Sequence, residues 1–148
     1  MWIYPERLII TCLLKGVSPM PDLYLLFSHT LTKEQETDAY ESLGVDNIYY
    51  LPAELRDLWS QVPPHLPQVA DYVQPIKNWL AKRVKKGDYL LVQGDFGATF
   101  LIVAWAFFQK CHPLYATTKR EVLESHNDDE VHITRTFKHV RFRFYEQG

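Results

Sequence analysis

The sequence lacks the staples that very small proteins depend on. Its two cysteines, Cys12 and Cys111, are too few for a disulfide framework or, by themselves, for a zinc site. Reduced thiols in a cytoplasmic protein are the expectation. An excess of charge is also missing: 16 Lys and Arg stand against 18 Asp and Glu, so overall charge does not mark a binder of long nucleic acid. The longest apolar stretch, Phe100 to Phe108 (FLIVAWAFF), is roughly half of the ~20 residues a membrane span needs, so a buried helix is expected there. Three nucleotide and hydrolase signatures are absent as well. There is no Walker A loop, no GxGxxG and no GxSxG elbow, which argues against a P-loop NTPase, a dinucleotide enzyme and a serine hydrolase of the usual kind.

What is present is enough for a core. A chain of 148 residues that is 47% hydrophobic makes one domain able to fold without cross-links. The short run Leu8 to Leu14 follows Glu6 and Arg7, and no A-x-A-like cleavage site comes after it. Residues 1–19 therefore read as an extension, and 20–148 as the domain.

Leu23 to Phe27 (LYLLF) has the continuous apolar pattern of a strand buried on both faces. Thr32 and Gln35 stand at capping-box spacing, opening a helix that reaches Leu43 and ends at Gly44. Asn47 to Leu51 reads as a second strand, and Pro52 as the start of a helix whose apolar face is Leu55, Leu58, Trp59 and Val62. Pro63, Pro64 and Pro67 end it. A further helical series from Leu66 to Val84 contains Pro75, which predicts a kink or two short helices. Tyr89 to Val92 reads as a third strand, Pro113 to Ala116 as a fourth, and Val131 to Phe137 with Val140 to Tyr145 as a tight terminal pair. Strands alternating with helices predict an α/β fold: a Rossmann-like, mainly parallel open sheet flanked by helices, with a C-terminal antiparallel strand pair.

In such sheets ligands sit beyond the carboxyl ends of the strands. Three strand ends carry polar sequence: Ser28-His29, Gln93 to Gly97, and Thr117 to Arg120. Gln93-Gly94-Asp95-Phe96-Gly97 joins a strand to a helix, with glycines that permit close backbone approach and a helix start that offers amides to an anion. Spacing equally allows a plain turn with Asp95 as N-cap. Thr117 and Thr118 supply hydroxyls, and Lys119 and Arg120 supply cations suited to phosphate. Arg141 and Arg143 alternate around Phe142, so both fall on one face of a strand. His29 suits proton transfer near neutral pH. His126 and His132 flank Asp128-Asp129-Glu130, which reads as a polar loop tip rather than a metal site, and His65, His112 and His139 read as structural or surface residues.

Four segments carry a family resemblance: FSHTLTKEQ (Phe27 to Gln35), LPAELRDLWSQVPP (Leu51 to Pro64), GDYLLVQGDFGAT (Gly87 to Thr99) and ATTKR (Ala116 to Arg120). In this order and spacing the chain, from about Met20 to Tyr145, resembles the small CRISPR-associated proteins of the Csx group, which accompany type III CRISPR systems and ring nucleases. The resemblance implies a fold related to the CARF sensor domain and a cytoplasmic two-fold homodimer, or a higher oligomer. It implies a cyclic oligoadenylate ligand, most often cyclic tetra-adenylate, that is linearised to switch off antiviral signalling. The implied ligand site is Ser28, His29, Gln93, Gly94, Asp95, Phe96, Gly97, Thr117, Thr118, Lys119 and Arg120. Chemistry then assigns Lys119 and Arg120 to phosphate charge, His29 to proton transfer, and Ser28 with the amides of Gly94 to Gly97 to phosphate or ribose. An RNA ring carries its own nucleophile, the ribose 2′-OH, so neither metal nor cofactor is expected. Two rivals remain: a protein that binds the ring without cutting it, and an unrelated small nucleotide enzyme.

Overall fold

The computed structural model describes residues 19–148. Cys12 and the Leu8 to Leu14 run lie outside the described residues. Five strands form one sheet in the order β2-β1-β3-β4-β5, with β1 Leu23–Leu26, β2 Ile48–Tyr50, β3 Tyr89–Val92, β4 His112–Asn127 and β5 Glu130–Phe144. The first four are parallel, and β5 runs antiparallel to β4. The helices are α1 (Lys33–Asp38, continued by a π-helical turn over Ala39–Leu43), α2 (Ala53–Ser60), α3 (Ala70–Ala81) and α4 (Phe96–Phe108). None of the described helices is long and apolar enough to cross a membrane.

Every residue of β1 is buried, as its unbroken apolar run predicts. Alternate residues then feed two cores. Tyr24, Leu26, Leu90 and Val92 pack with Trp59, Val73, Ile76 and Leu80 of α2 and α3, and with Ala98, Ile102 and Ala106 of α4. Leu23, Leu25, Leu91, Leu114 and Phe142 pack on the other face with Leu31, Ala39 and Val45, under α1. The helices therefore cover both faces, three on one side and one on the other.

Local chemistry sets the helix ends. The Gln35 amide donates to Thr32 Oγ1 at 3.2 Å and the Thr32 amide donates to Gln35 Oε1 at 2.9 Å, completing the capping box. Gly44 takes the left-handed conformation, φ 65°, that stops the π turn. Pro75 forgoes one backbone bond, yet α3 runs as a single helix, because Val73, Ile76 and Leu80 on its inner face are all buried. At the amino edge of the sheet, buried Asp88 accepts the amides of Asp22 at 3.0 Å and Lys85 at 2.7 Å, tying β1 to β3. Burial, with Asp88 nearby, pushes the Cys111 thiol up to about 11, so at neutral pH it stays a protonated core thiol.

The C-terminal third departs from expectation. The fourth strand does not stop at Ala116, and Thr117 to Arg120 is not a loop: β4 continues to Asn127. Nor do Val131 to Phe137 and Val140 to Tyr145 pair with each other, because they are successive stretches of β5, and the partner of both is β4. The two strands turn at Asp128-Asp129, with Asp128 at φ 48°, and the ladder runs from Asn127↔Glu130 back to Leu114↔Phe144. Their outer halves extend past the parallel sheet as a two-stranded arm. Along that arm solvent-exposed Thr, Lys, Arg and Glu are strand residues because the cross-strand ladder holds them, not because a core does.

Candidate functional site

Strands β1 and β3 end at one edge of the parallel sheet, where β4 runs on into the arm, and the three are bonded together at that point. The Gln93 amide donates to Leu26 O at 3.0 Å, Trp59 Nε1 donates to Gln93 O at 3.0 Å, and the Ala116 amide donates to Gln93 Oε1 at 3.0 Å. Gln93 thus joins β1, β3, β4 and α2 at a single point. Gly94 follows with no room for a side chain, since a Cβ there would lie 2.8 Å from Trp59 Nε1. Asp95 caps α4, its Oδ1 accepting the Ala98 amide at 3.0 Å. Its carboxylate therefore serves the helix, as one of the two sequence readings allows.

Two clefts open at this edge, one on each face of the sheet. The first, about 640 Å³, is lined on the α4 side by Gln93, Gly94, Phe96, Thr99, Tyr115, Arg143, Tyr145 and Glu146. Its floor is aromatic. The Tyr115 and Tyr145 rings lie 4.9 Å apart, and the Arg143 guanidinium sits 5.7 Å from the Tyr115 ring and donates to its hydroxyl at 3.3 Å. Tyr145 OH donates to Val92 O at 2.7 Å, and burial, helped by Tyr115, pushes its phenol up, which keeps the donor proton in place. Thr99 Oγ1 is buried here without a partner. The alternation of Arg141 and Arg143 around buried Phe142 holds, and it delivers Arg143 to this cleft.

The second cleft, about 510 Å³, lies on the α1 side between Phe27, His29, Thr30, Thr32, Lys33, Glu34, Gln35, Thr118, Phe137 and His139. His29 is exposed, with its ring edge-on to Phe27 at 5.3 Å. His139 is not a surface residue: its side chain is 5% exposed and Nε2 lies 2.7 Å from Asp38 Oδ2. Burial alone would raise the Asp38 carboxyl, but hydrogen bonds from Ser42 and His139, with the His139 and Arg141 charges, hold it below the usual carboxylate value.

The structure brings His29 and Thr118 into one cleft, and Gln93, Gly94 and Phe96 into the other. Ser28 is exposed beside His29, and Gly97 is exposed in the first turn of α4. Thr117 Oγ1 donates to Arg141 O at 3.0 Å, a bond within the ladder. Lys119 and Arg120 stand on the arm, on opposite faces: Lys119 pairs with Lys138 on the α4 side, and Arg120 with Phe137 on the α1 side. The arginine and tyrosines of the first cleft and the Asp38–His139 pair of the second carried no local signature in the sequence. The hairpin tip holds His132 3.4 Å from Glu130, and no group of three His, Cys, Asp or Glu side chains placed to hold a metal occurs among the described residues.

Comparison with known proteins adds a family. The group described as "Uncharacterized protein MJ1673 family" matches residues 21–143, which takes in every strand and helix above but the last residue of β5. The chain belongs to the MJ1673 family. A relative, the MJ1673 protein of Methanocaldococcus jannaschii, is 47% identical over 126 residues, covering 85% of this chain and 98% of the relative. The family match contains the second cleft, the whole arm and the first cleft as far as Arg143, while Phe144, Tyr145 and Glu146 of that cleft follow its end. No solved structure matches the chain.

Proposed function

We propose that the chain binds a cyclic oligoadenylate, with cyclic tetra-adenylate the first candidate, and linearises it by attack of a ribose 2′-OH on the adjacent phosphorus. The fold would then be a CARF-related Rossmann-like one. The observation that carries the reading is the pair of clefts at one sheet edge. One offers stacking rings and an arginine, the equipment for base and phosphate. The other offers two histidines and Lys33, the equipment for proton transfer and phosphate charge. Both lie at the C-terminal edge of the parallel strands, the first beside the β3 exit and the second beside the β1 exit, the two strands between which the order 2-1-3-4 reverses direction. The resemblance to the Csx group supplies the ligand class.

The test is incubation with cyclic oligoadenylates of different ring size in excess EDTA, followed by mass spectrometry. Linear products with 2′,3′-cyclic phosphate and 5′-hydroxyl ends are expected. Tight binding with an intact ring would make the protein a sequestering module, and no affinity for any ring would overturn the reading.

A two-fold ring fits a two-fold dimer, in which each protomer supplies one copy of the site. The face such a dimer would use is on α4, which exposes Phe96 by 95%, Phe100 by 72% and Phe108 by 83%. Phe96 also lines the first cleft, so a second copy on this face would border the site. Phe100→Glu should therefore give a monomer by light scattering and weaken binding of cyclic tetra-adenylate at least ~10-fold, the loss expected when bivalent contact is removed. A dimeric Phe100→Glu protein would place the interface elsewhere.

A further inference from the structure

One buried group in the second cleft lacks a partner. His139 Nδ1 is out of contact with solvent and makes no hydrogen bond, while Nε2 is held at 2.7 Å by Asp38. The two residues lie 101 positions apart in the chain and meet only because β5 packs beside the end of α1. The His139 ring is fixed from a second direction by Phe142, 4.9 Å away between centroids. Asp38 also accepts a hydrogen bond from Ser42 Oγ.

This arrangement decides the tautomer. A carboxylate only accepts, so in the neutral ring Nε2 is the nitrogen that carries the proton and Nδ1 the one with the lone pair. An imidazole oriented by a carboxylate, with its second nitrogen unoccupied, is the arrangement a general base requires. Leaving that nitrogen buried and unbonded costs free energy that native structures rarely accept without a use. Phe137, which is 71% exposed, and Thr118, paired with His139 across the ladder, are its neighbours in the cleft wall. Nδ1 has no solvent contact, so its use as a base requires these exposed side chains to change rotamer when a ligand enters the cleft.

The placement comes from a backbone irregularity. Thr117 pairs with Arg141 but Thr118 pairs with His139, so Val140 is an extra residue in β5. Without it, His139 would share the face of Arg141 and Arg143. The bulge turns it toward Asp38 instead.

We propose that His139 is the general base of the ring-opening reaction, with Asp38 as the residue that positions it. This rests on the reading of the chain as a ring nuclease. His139 Nδ1 takes the 2′-OH proton as the O2′–P bond forms and the P–O5′ bond breaks. The departing 5′-oxygen takes its proton from protonated His29 in the same cleft, and solvent then restores both rings to their starting states.

The experiment measures equilibrium binding and single-turnover cleavage of cyclic tetra-adenylate by wild type, His139→Gln and Asp38→Asn, with thermal melting of each. The expected result is affinity within about threefold of wild type and a rate lowered ~10²-fold or more in both variants. Asp38→Asn guards against misfolding of the His139 variant, because it keeps shape and a hydrogen-bonding side chain while removing the charge that fixes the tautomer. A folded His139→Gln or Asp38→Asn protein that cuts at the wild-type rate overturns the dyad and leaves the ring-nuclease reading intact. A wild type that binds the ring but never cuts it, or never binds it, overturns that reading and the base with it.

Discussion

Trp59→Ala should cost about 3–5 kcal/mol of folding free energy, the usual range for deleting a buried tryptophan. Trp59 is 1% exposed and is the largest fully buried side chain among the described residues. Its loss would open a cavity between α2 and the sheet, and would also remove the hydrogen bond that Nε1 donates to Gln93 O. The two contributions can be separated. Trp59→Phe keeps most of the packing and deletes the donor, so it should cost less, about 1–3 kcal/mol, for one hydrogen bond and a smaller ring. Urea unfolding of the three proteins measures the difference, and two-state analysis is appropriate for a domain of this size. A loss below about 1 kcal/mol for Trp59→Ala would mean that α2 does not brace the strand exits. The functional consequence follows from position, since the same indole seats Gly94 and the Gln93 junction at the rim of the first cleft. Trp59→Phe should therefore weaken ligand binding more than its stability cost alone would suggest.

The parts of the fold that burial dictates were legible in the sequence. LYLL and YLLV are apolar at every position because helices cover both faces of those strands, and unbroken apolarity over a short run is the mark of that environment. Thr32 with Gln35, and Asp95 ahead of α4, announced helix starts because capping is a contact between near neighbours. The arm was not legible for the opposite reason. Thr117 to Asn127 is held in strand form by β5 rather than by a core, so no apolar alternation marks it, and its polar residues look like a loop. The site divides along the same line. His29, Gln93 and Gly94 follow directly from strand ends, whereas Tyr115, Arg143 and Tyr145 come together only through the β4–β5 register. Asp38 and His139 needed both that register and the bulge at Val140. Strict period-two alternation from Arg143 backward would have put His139 on the wrong face. The adjacency of Lys119 and Arg120 misled in a related way, because neighbours along a strand point to opposite faces, and each cation belongs to a different side of the arm.

Separating binding from turnover is the sharpest use of the two clefts. Arg143→Ala should lower affinity for cyclic tetra-adenylate by about tenfold or more, the equivalent of the ~1.5–3 kcal/mol lost with a charge-assisted hydrogen bond. Arg143 is a strand residue whose guanidinium already rests against Tyr115, so it meets phosphate with its geometry prepared. Arg120→Ala should weaken binding less, because Arg120 is exposed on the arm and lines neither cleft. His29→Ala should behave differently from both: a single-turnover rate lowered ~10²-fold or more with affinity nearly unchanged, as for a group that acts only in the transition state. His29 is exposed and makes one ring contact, with Phe27, so its loss should leave thermal stability within about 0.5 kcal/mol of wild type. Equilibrium binding beside single-turnover cleavage, for wild type and the three variants, checks all of this together. A stable His29→Ala protein that cuts at the wild-type rate would remove His29 as the proton donor. An Arg143→Ala protein that binds normally would move the phosphate contact to the cations of the second cleft and the arm, Lys33 first among them.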